Sequence, residues 1–258
     1  MLDSQTFSLV TATVSDPRFA IAAAVAVLAG LVRGFSGFGS ALIYVPLISA
    51  IYGPRLAVPT LLLIDTICSF PFALKAWPDC NWREVRVVMI AGVVGVPLGV
   101  AALVYVDALT LRWFIAVLVL IAVVILASGW RYHGKPTTAA SLGVGALAGF
   151  GAGAVQIGAP PLLVYWLGGQ NSAVTVRANI MVYFLMQGVL TFLFYIYGGL
   201  FTAQSLTIAL LLGVPFGIAV SLGAGWFHGT SDLFYRRLAY VIIAISGLVS
   251  LPLFDALR

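Results

Sequence analysis

Residues 206–227 read LTIALLLGVPFGIAVSLGAGWF, a run without one charged side chain. Twenty-two residues of helix reach about 33 Å at 1.5 Å per residue, enough for the roughly 30 Å hydrocarbon core of a bilayer. The composition extends that reading to the whole chain. Of 258 residues, 62% are hydrophobic and 8% charged, and the mean hydropathy is +1.11. A soluble domain carries about 25% charged residues, and a water-facing exterior cannot be made from so few. Disordered chains hold far less apolar material. The chain reads as an all-α polytopic integral membrane protein.

Working outward, apolar runs fall at about 18–33, 39–52, 56–75, 87–106, 109–130, 137–152, 159–168, 172–198, 204–227 and 237–254. They leave no room for a separate soluble domain. The first 16 residues carry Asp3 and Asp16 but no basic stretch, unlike a cleavable signal. Trp113 and Trp130 bracket one span, and Trp77 and Trp82 bracket the polar loop Lys75–Arg83, as interfacial indoles do. Cys68 and Cys80 do not form a disulfide framework.

The basic residues lie between apolar runs, so the net charge of +5 is a matter of topology and not of nucleic-acid binding. Alternation of the spans gives one face Lys75, Arg83, Arg86, Arg131, Lys135, Arg177, Arg236 and Arg237. The other face receives Arg18, Arg55, Arg112 and Arg258, with Arg33 on neither. The richer face is expected to be cytoplasmic, with both termini on the opposite side.

Segments 39–52 and 159–168 are short for a span, and each follows a glycine-rich break: Gly34-Phe35-Ser36-Gly37-Phe38-Gly39 before the first, Gly149 to Pro161 before the second. Each short run and its predecessor form either two full crossings or a hairpin of broken helices. The breaks also belong to a repeat. Ala29-Gly30, Gly34 and Gly39 match Ala148-Gly149, Gly153 and Gly158 at an offset of 119. Gly95-Val96-Pro97-Leu98-Gly99-Val100 matches Gly213-Val214-Pro215-Phe216-Gly217-Ile218 at 118. After an N-terminal segment 1–16, the chain divides into a first membrane repeat, 17–135, and a second, 136–258. Each holds five runs, and two odd-numbered halves must point in opposite directions across the bilayer. Inverted repeats of this kind, with interrupted helices at their interface, are the architecture of many secondary transporters.

Glycines at small-xxx-small spacing, including Gly95/Gly99 and Gly213/Gly217, are expected to let helix backbones approach closely. Gly37, Gly39 and Gly158 sit instead where helices break, and a break exposes backbone N–H groups that need a partner at membrane depth.

At these residues the sequence resembles the TauE/SafE sulfite exporters, a family of transporters for small sulfur-containing anions. The resemblance runs through Ala29–Pro46, through Asn81-Trp82-Arg83 into Gly92–Gly99, and through Gly158-Ala159-Pro160-Pro161-Leu162. It continues in Val176-Arg177-Ala178-Asn179, Gly213–Gly217 and Tyr235-Arg236-Arg237-Leu238. One departure is Gln156-Ile157-Gly158-Ala159, where family members often carry a glycine cluster before the paired prolines. The resemblance implies anion transport, in the plasma (inner) membrane, with a small anion and the lipid bilayer as partners, no nucleic acid, and the oligomeric state open. It also places Arg177 at the family's arginine of the second half.

A guanidinium there can hold an oxyanion through paired charge-assisted hydrogen bonds; as an interfacial residue it would snorkel to headgroups. Asn179 and Gln156 are uncharged donors able to complete an oxyanion shell, with backbone N–H groups from Gly37, Gly39, Gly158 and the turn at Pro160. Arg33 joins them if the first break is a hairpin. Asp65 lies halfway along an apolar run, where a carboxylate is costly and faces protein or water. Away from water a carboxyl group holds its proton more tightly, so Asp65 is the candidate for proton coupling; the alternative is a structural carboxyl bonded to Thr66 or Ser69. His133 and His228 are not spaced as metal ligands, and no nucleotide-binding, zinc-protease, nucleophile-elbow or CxxC motif occurs. The expectation is therefore a cofactor-free, metal-free, gradient-driven exporter of sulfite or an organosulfonate working by alternating access. An anion channel and a membrane enzyme or assembly factor are the alternatives.

Overall fold

Helix covers nearly all of the chain, and no strand occurs among the described residues. The computed structural model describes residues 4–130, 132, 137–169, 171–226 and 232–253; at 4–7, 35, 36, 173, 225, 226 and 232–238 it describes the backbone. Arg131, His133, Lys135, His228 and Arg258 lie outside this set, as do the side chains of Arg236 and Arg237. The helices are α1 (Ser4–Ser15), α2 (Pro17–Ser36), α3 (Ser40–Tyr52), α4 (Pro54–Ala76), α5 (Trp82–Tyr105), α6 (Ala108–Ser128), α7 (Thr138–Val155), α8 (Ala159–Gly168), α9 (Ala173–Tyr197), α10 (Ala203–Trp226) and α11 (Asp232–Val249). Among the described residues, α2, α4, α5, α6, α7, α9 and α10 are long and apolar enough to cross a membrane.

The sequence sets the ends of these helices by capping. Asp16 accepts from the Arg18 amide at 2.9 Å with Pro17 in the first turn of α2, and Asp107 accepts from the Thr110 amide at 2.9 Å at the start of α6. Thr202 and Ser205 exchange amide-to-hydroxyl bonds, at 2.8 and 3.1 Å, ahead of α10. At the far end of α5, Arg55 donates to the carbonyls of Leu103, Val104 and Val106, placing a cation on the negative end of that helix.

The short runs are short helices. α3 has 13 residues and α8 has 10, about 20 and 15 Å of helix against a core of about 30 Å. Each is separated from its predecessor by a sharp break. Gly37 (φ 76°) closes α2 and Gly39 (φ 97°) opens α3, both left-handed, which favours glycine. At the second break the left-handed residue is Gln156 (φ 58°), which is the one non-glycine with positive φ among the described residues.

The two most extensive helix contacts are α5 with α7 and α2 with α10. Both are made backbone to backbone through glycine. A Cβ on Gly30 would stand 2.6 Å from the Phe216 carbonyl oxygen, and one on Gly34 would strike Val220; Gly223 faces Leu31 in return. In the other pair Gly145 and Gly153 face Val88 and Val96, while Gly95 and Gly99 face Ala146 and Phe150. One expectation is corrected. Gly213 and Gly217 do not make such a contact: a Cβ there would meet only Ile64 at 3.8 Å and the Cys68 sulfur at 3.4 Å, ordinary distances to side chains of α4. The close approach in α10 is made instead at the Phe216 and Val220 carbonyls and at Gly223. At the offsets of 119 and 118, α7 corresponds to α2 and α10 to α5, so each contact joins helices from opposite halves of the chain. Lipid would meet the outward sides, where Ile67, Ile90, Val124, Leu147 and Leu210 are exposed.

Candidate functional site

The break between α2 and α3 is walled by α4, α9, α10 and the end of α7, leaving a cavity of about 100 Å³. Six of the residues singled out in the sequence line it: Arg33, Gly37, Gly39, Asp65, Gln156 and Arg177. Asn179, Gly158 and Pro160 do not. Asn179 is fully buried with its carbonyl accepting from the Asn81 amide at 2.7 Å. Gly158 packs on α7, where a Cβ would stand 2.5 Å from the Ala148 carbonyl oxygen. Pro160 is buried in the first turn of α8.

Arg33 is held on all sides. Its Nε lies 3.0 Å from Asp65 Oδ1, one terminal nitrogen donates to the Gly37 carbonyl at 2.6 Å, and the other donates to the Ser69 hydroxyl. Ser40 donates to the same Asp65 oxygen at 3.1 Å. Asp65 is thus bonded neither to Thr66 nor to Ser69. Its partners come from α2 and α3, 32 and 25 residues earlier, and Ser69 serves Arg33. Because the side chains of Arg33 and Asp65 are only 10% and 23% exposed, each supplies the countercharge that makes the other's partial burial tolerable. The same bonds tie the α2–α3 break to the middle of α4.

Arg177 differs. It projects from the second turn of α9 toward Gly37, whose added Cβ would lie 3.5 Å from its Nε. Its guanidinium is exposed and has no hydrogen bond or ion pair among the described residues. The charged residues lining the cavity are Arg33, Asp65 and Arg177. With the first two paired, the wall carries one uncompensated positive charge, and it sits at the cavity's edge. A second, mostly apolar cavity of about 200 Å³ lies beyond it and shares Gly37, Phe38 and Arg177 with the first.

Gln156 closes α7 in its left-handed conformation, with its side-chain amide donating to the Ala152 carbonyl at 3.0 Å and to the Tyr195 hydroxyl at 3.3 Å. A non-glycine residue held in that region at a cavity wall is a mark of functional strain. Reading the sequence alone passed over Ser40, Gln187 and Thr191, which supply hydroxyl and amide groups to the same wall. For the last two a signal exists: Asn179, Tyr183, Gln187, Thr191 and Tyr195 recur every fourth residue in an otherwise apolar run. Outside the spans, Cys80 is buried at the loop before α5, and burial pushes its thiol up to about 11, leaving it little thiolate. No group of three or more His, Cys, Asp or Glu placed to hold a metal occurs among the described residues.

The cavity thus lies at a helix break, and the charged side chains that line it carry one net positive charge. Comparison with curated proteins and with solved structures gives no match. Residues 22–250 match the family described as Sulfite exporter TauE/SafE, which covers most of the chain. The chain belongs to the TauE/SafE sulfite exporter family and is a multi-pass membrane transporter.

Proposed function

We propose that this protein exports a small sulfur-containing oxyanion, sulfite or a short organosulfonate, by alternating access across the plasma membrane. The observation that carries the reading is Arg177, an unpartnered guanidinium on a cavity whose other two charges neutralise each other. The anion would take the fork of Arg177. Gln187 has one amide hydrogen left for it, whereas Ser40, Thr191 and Gln156 would have to leave Asp65, the Gln187 main chain and Ala152 or Tyr195 to reach it. Asn179, Gly158 and Pro160 would act from behind the wall, by fixing the elements that bear it.

Coupling follows from the Arg33–Asp65 pair. A proton taken up by Asp65 would end its charge, release Arg33 from its counter-ion and raise the wall from one net positive charge to two. The anion would then be held more tightly when the carboxyl is protonated, so anion binding and proton binding would be linked. The glycine-stitched pairs α2–α10 and α5–α7 would each form a rigid body with one helix from each half, α4 and α9 lying between them. An inverted repeat gives those two bodies equivalent, exchangeable arrangements.

The test is uptake into proteoliposomes with the purified protein, using sulfite, a short organosulfonate, sulfate and chloride in turn. Saturable uptake of the first two, with little of chloride, is expected. Uptake proportional to concentration without saturation, driven by voltage alone, would mark a channel.

A further inference from the structure

Five side chains along α9 stand one turn apart: Asn179, Tyr183, Gln187, Thr191 and Tyr195. All five are buried, none more than 1% exposed. From first to last they cover 16 residues, about 24 Å of helix, most of the hydrocarbon thickness. A polar stripe of that length is costly inside a membrane unless every group finds a partner.

The two ends find theirs in protein. Thr191 donates to the Gln187 carbonyl at 2.8 Å, and Tyr195 donates to the Gly153 carbonyl at 2.8 Å while accepting from Gln156. At the other end the Asn179 carbonyl accepts from the Asn81 amide, and Asn81 and Asn171 both donate to the Glu84 carboxylate, at 3.1 and 2.8 Å. Between the ends, Asn179 Nδ2, the Tyr183 hydroxyl and the side-chain oxygen Oε1 of Gln187 (distinct from the main-chain carbonyl that Thr191 binds) are buried with no partner among the described residues. So is the indole nitrogen of Trp166, whose ring meets that of Tyr183 at 6.3 Å. Gly92 of α5 faces the same place: a Cβ there would stand 2.9 Å from the Gln187 carbonyl oxygen and 3.1 Å from the Tyr183 hydroxyl.

Neighbours four apart on a helix are about 5–6 Å apart at Cβ. Side chains at that spacing share one face of the helix, yet these polar atoms bond neither each other nor any other described group. A water making two hydrogen bonds of about 2.8 Å can bridge such a pair. Buried water is the usual partner of buried polar groups that protein leaves unmet.

We propose that α9 carries a file of bound waters from Asn179 past Tyr183 to Gln187, and that this file is the route by which protons pass between Glu84, at the loop before α5, and the anion cavity. The file ends on the wall that Gln187 and Asp65 share, and its proton role rests on the transport reading above. A proton entering beside Glu84 would hop along the waters past the Tyr183 hydroxyl and reach the wall beside Asp65 and Arg33.

Two measurements test this. X-ray radiolytic footprinting of the wild-type protein in nanodiscs labels residues that touch bound water, whether or not they are surface-exposed. Tyr183 should be modified well above Tyr44, which is equally buried but bonded to Thr60; labelling of Tyr183 no greater than that of Tyr44 would overturn the file. The second measurement follows vesicle-internal pH with pyranine during sulfite uptake by Tyr183→Phe, which keeps the ring and loses one hydroxyl. Proton movement should slow about tenfold, the scale of one lost hydrogen bond, while sulfite–sulfite exchange continues. Unchanged proton movement in the variant would overturn the route. Absence of sulfite exchange in the wild type would instead refute the transport reading, and the footprinting result would still stand or fall by itself.

Discussion

At the scale of single residues, the proposed mechanism divides the work of the cavity between the pair Arg33–Asp65 and Arg177. Asp65→Asn tests the division. Asparagine keeps the shape and the bond from Ser40 but can neither hold a charge nor release a proton, so the variant should still exchange sulfite for sulfite. It should lose the ability to concentrate sulfite when only a pH difference drives it. Accumulation that survives in Asp65→Asn, read as internal ³⁵S-sulfite against time, would return Asp65 to a structural role. The presence of a significant carboxylate at Asp65 was legible from its neighbours alone, because Leu61, Leu62, Leu63 and Ile64 make any charge conspicuous. Its partners were not. A linear pattern shows which side chains lie within a turn of each other, and so pointed to Thr66 and Ser69, whereas Arg33 and Ser40 reach Asp65 only after α2, α3 and α4 have packed.

At the scale of elements, glycine has two separate uses in this fold, and the same residue type hides the difference. Gly37 and Gly39 supply left-handed backbone at the α2–α3 break, whereas Gly30 and Gly34 supply nothing but the absence of a side chain against α10. Gly30→Val would drive methyl groups into the Phe216 carbonyl and Ala219, 2.6 and 2.9 Å from a Cβ. Overpacking of this kind costs about 1–3 kcal/mol and should lower the melting temperature in detergent. Gly213→Ala meets only Ile64 at 3.8 Å and gains up to about 1 kcal/mol of helix propensity, so its melting temperature should hold or rise. Equal losses in both variants would mean that the α2–α10 contact is not the close one. Spacing alone put Gly213/Gly217 and Gly30/Gly34 in one class. Facing direction separates them, and a four-residue spacing carries no information about direction. Helix existence was easier: each of the ten apolar runs is a helix, α2 to α11. The helix missed was α1, whose serines and threonines among exposed Leu9 and Val14 give no continuous apolar run.

At the scale of the whole molecule, the internal repeat explains an arrangement that no single helix does. The first span of each half, α2 or α7, packs on the glycine–proline helix of the other half, α10 or α5. The break that follows α2 and Gln156 at the end of α7 line the same cavity. The central claim is that this cavity holds a sulfur oxyanion through Arg177. Its most direct measurement is counterflow of ³⁵S-sulfite into proteoliposomes preloaded with unlabelled sulfite, comparing the wild type with Arg177→Lys and Arg177→Gln at matched insertion. The wild type should show saturable counterflow, and Arg177→Lys should keep transport at weaker apparent affinity. Arg177→Gln should lose about ten- to a hundredfold in affinity, the scale of a charge-assisted bond of about 1.5–3 kcal/mol. Counterflow no greater than in protein-free vesicles, or an Arg177→Gln protein indistinguishable from wild type, would contradict it.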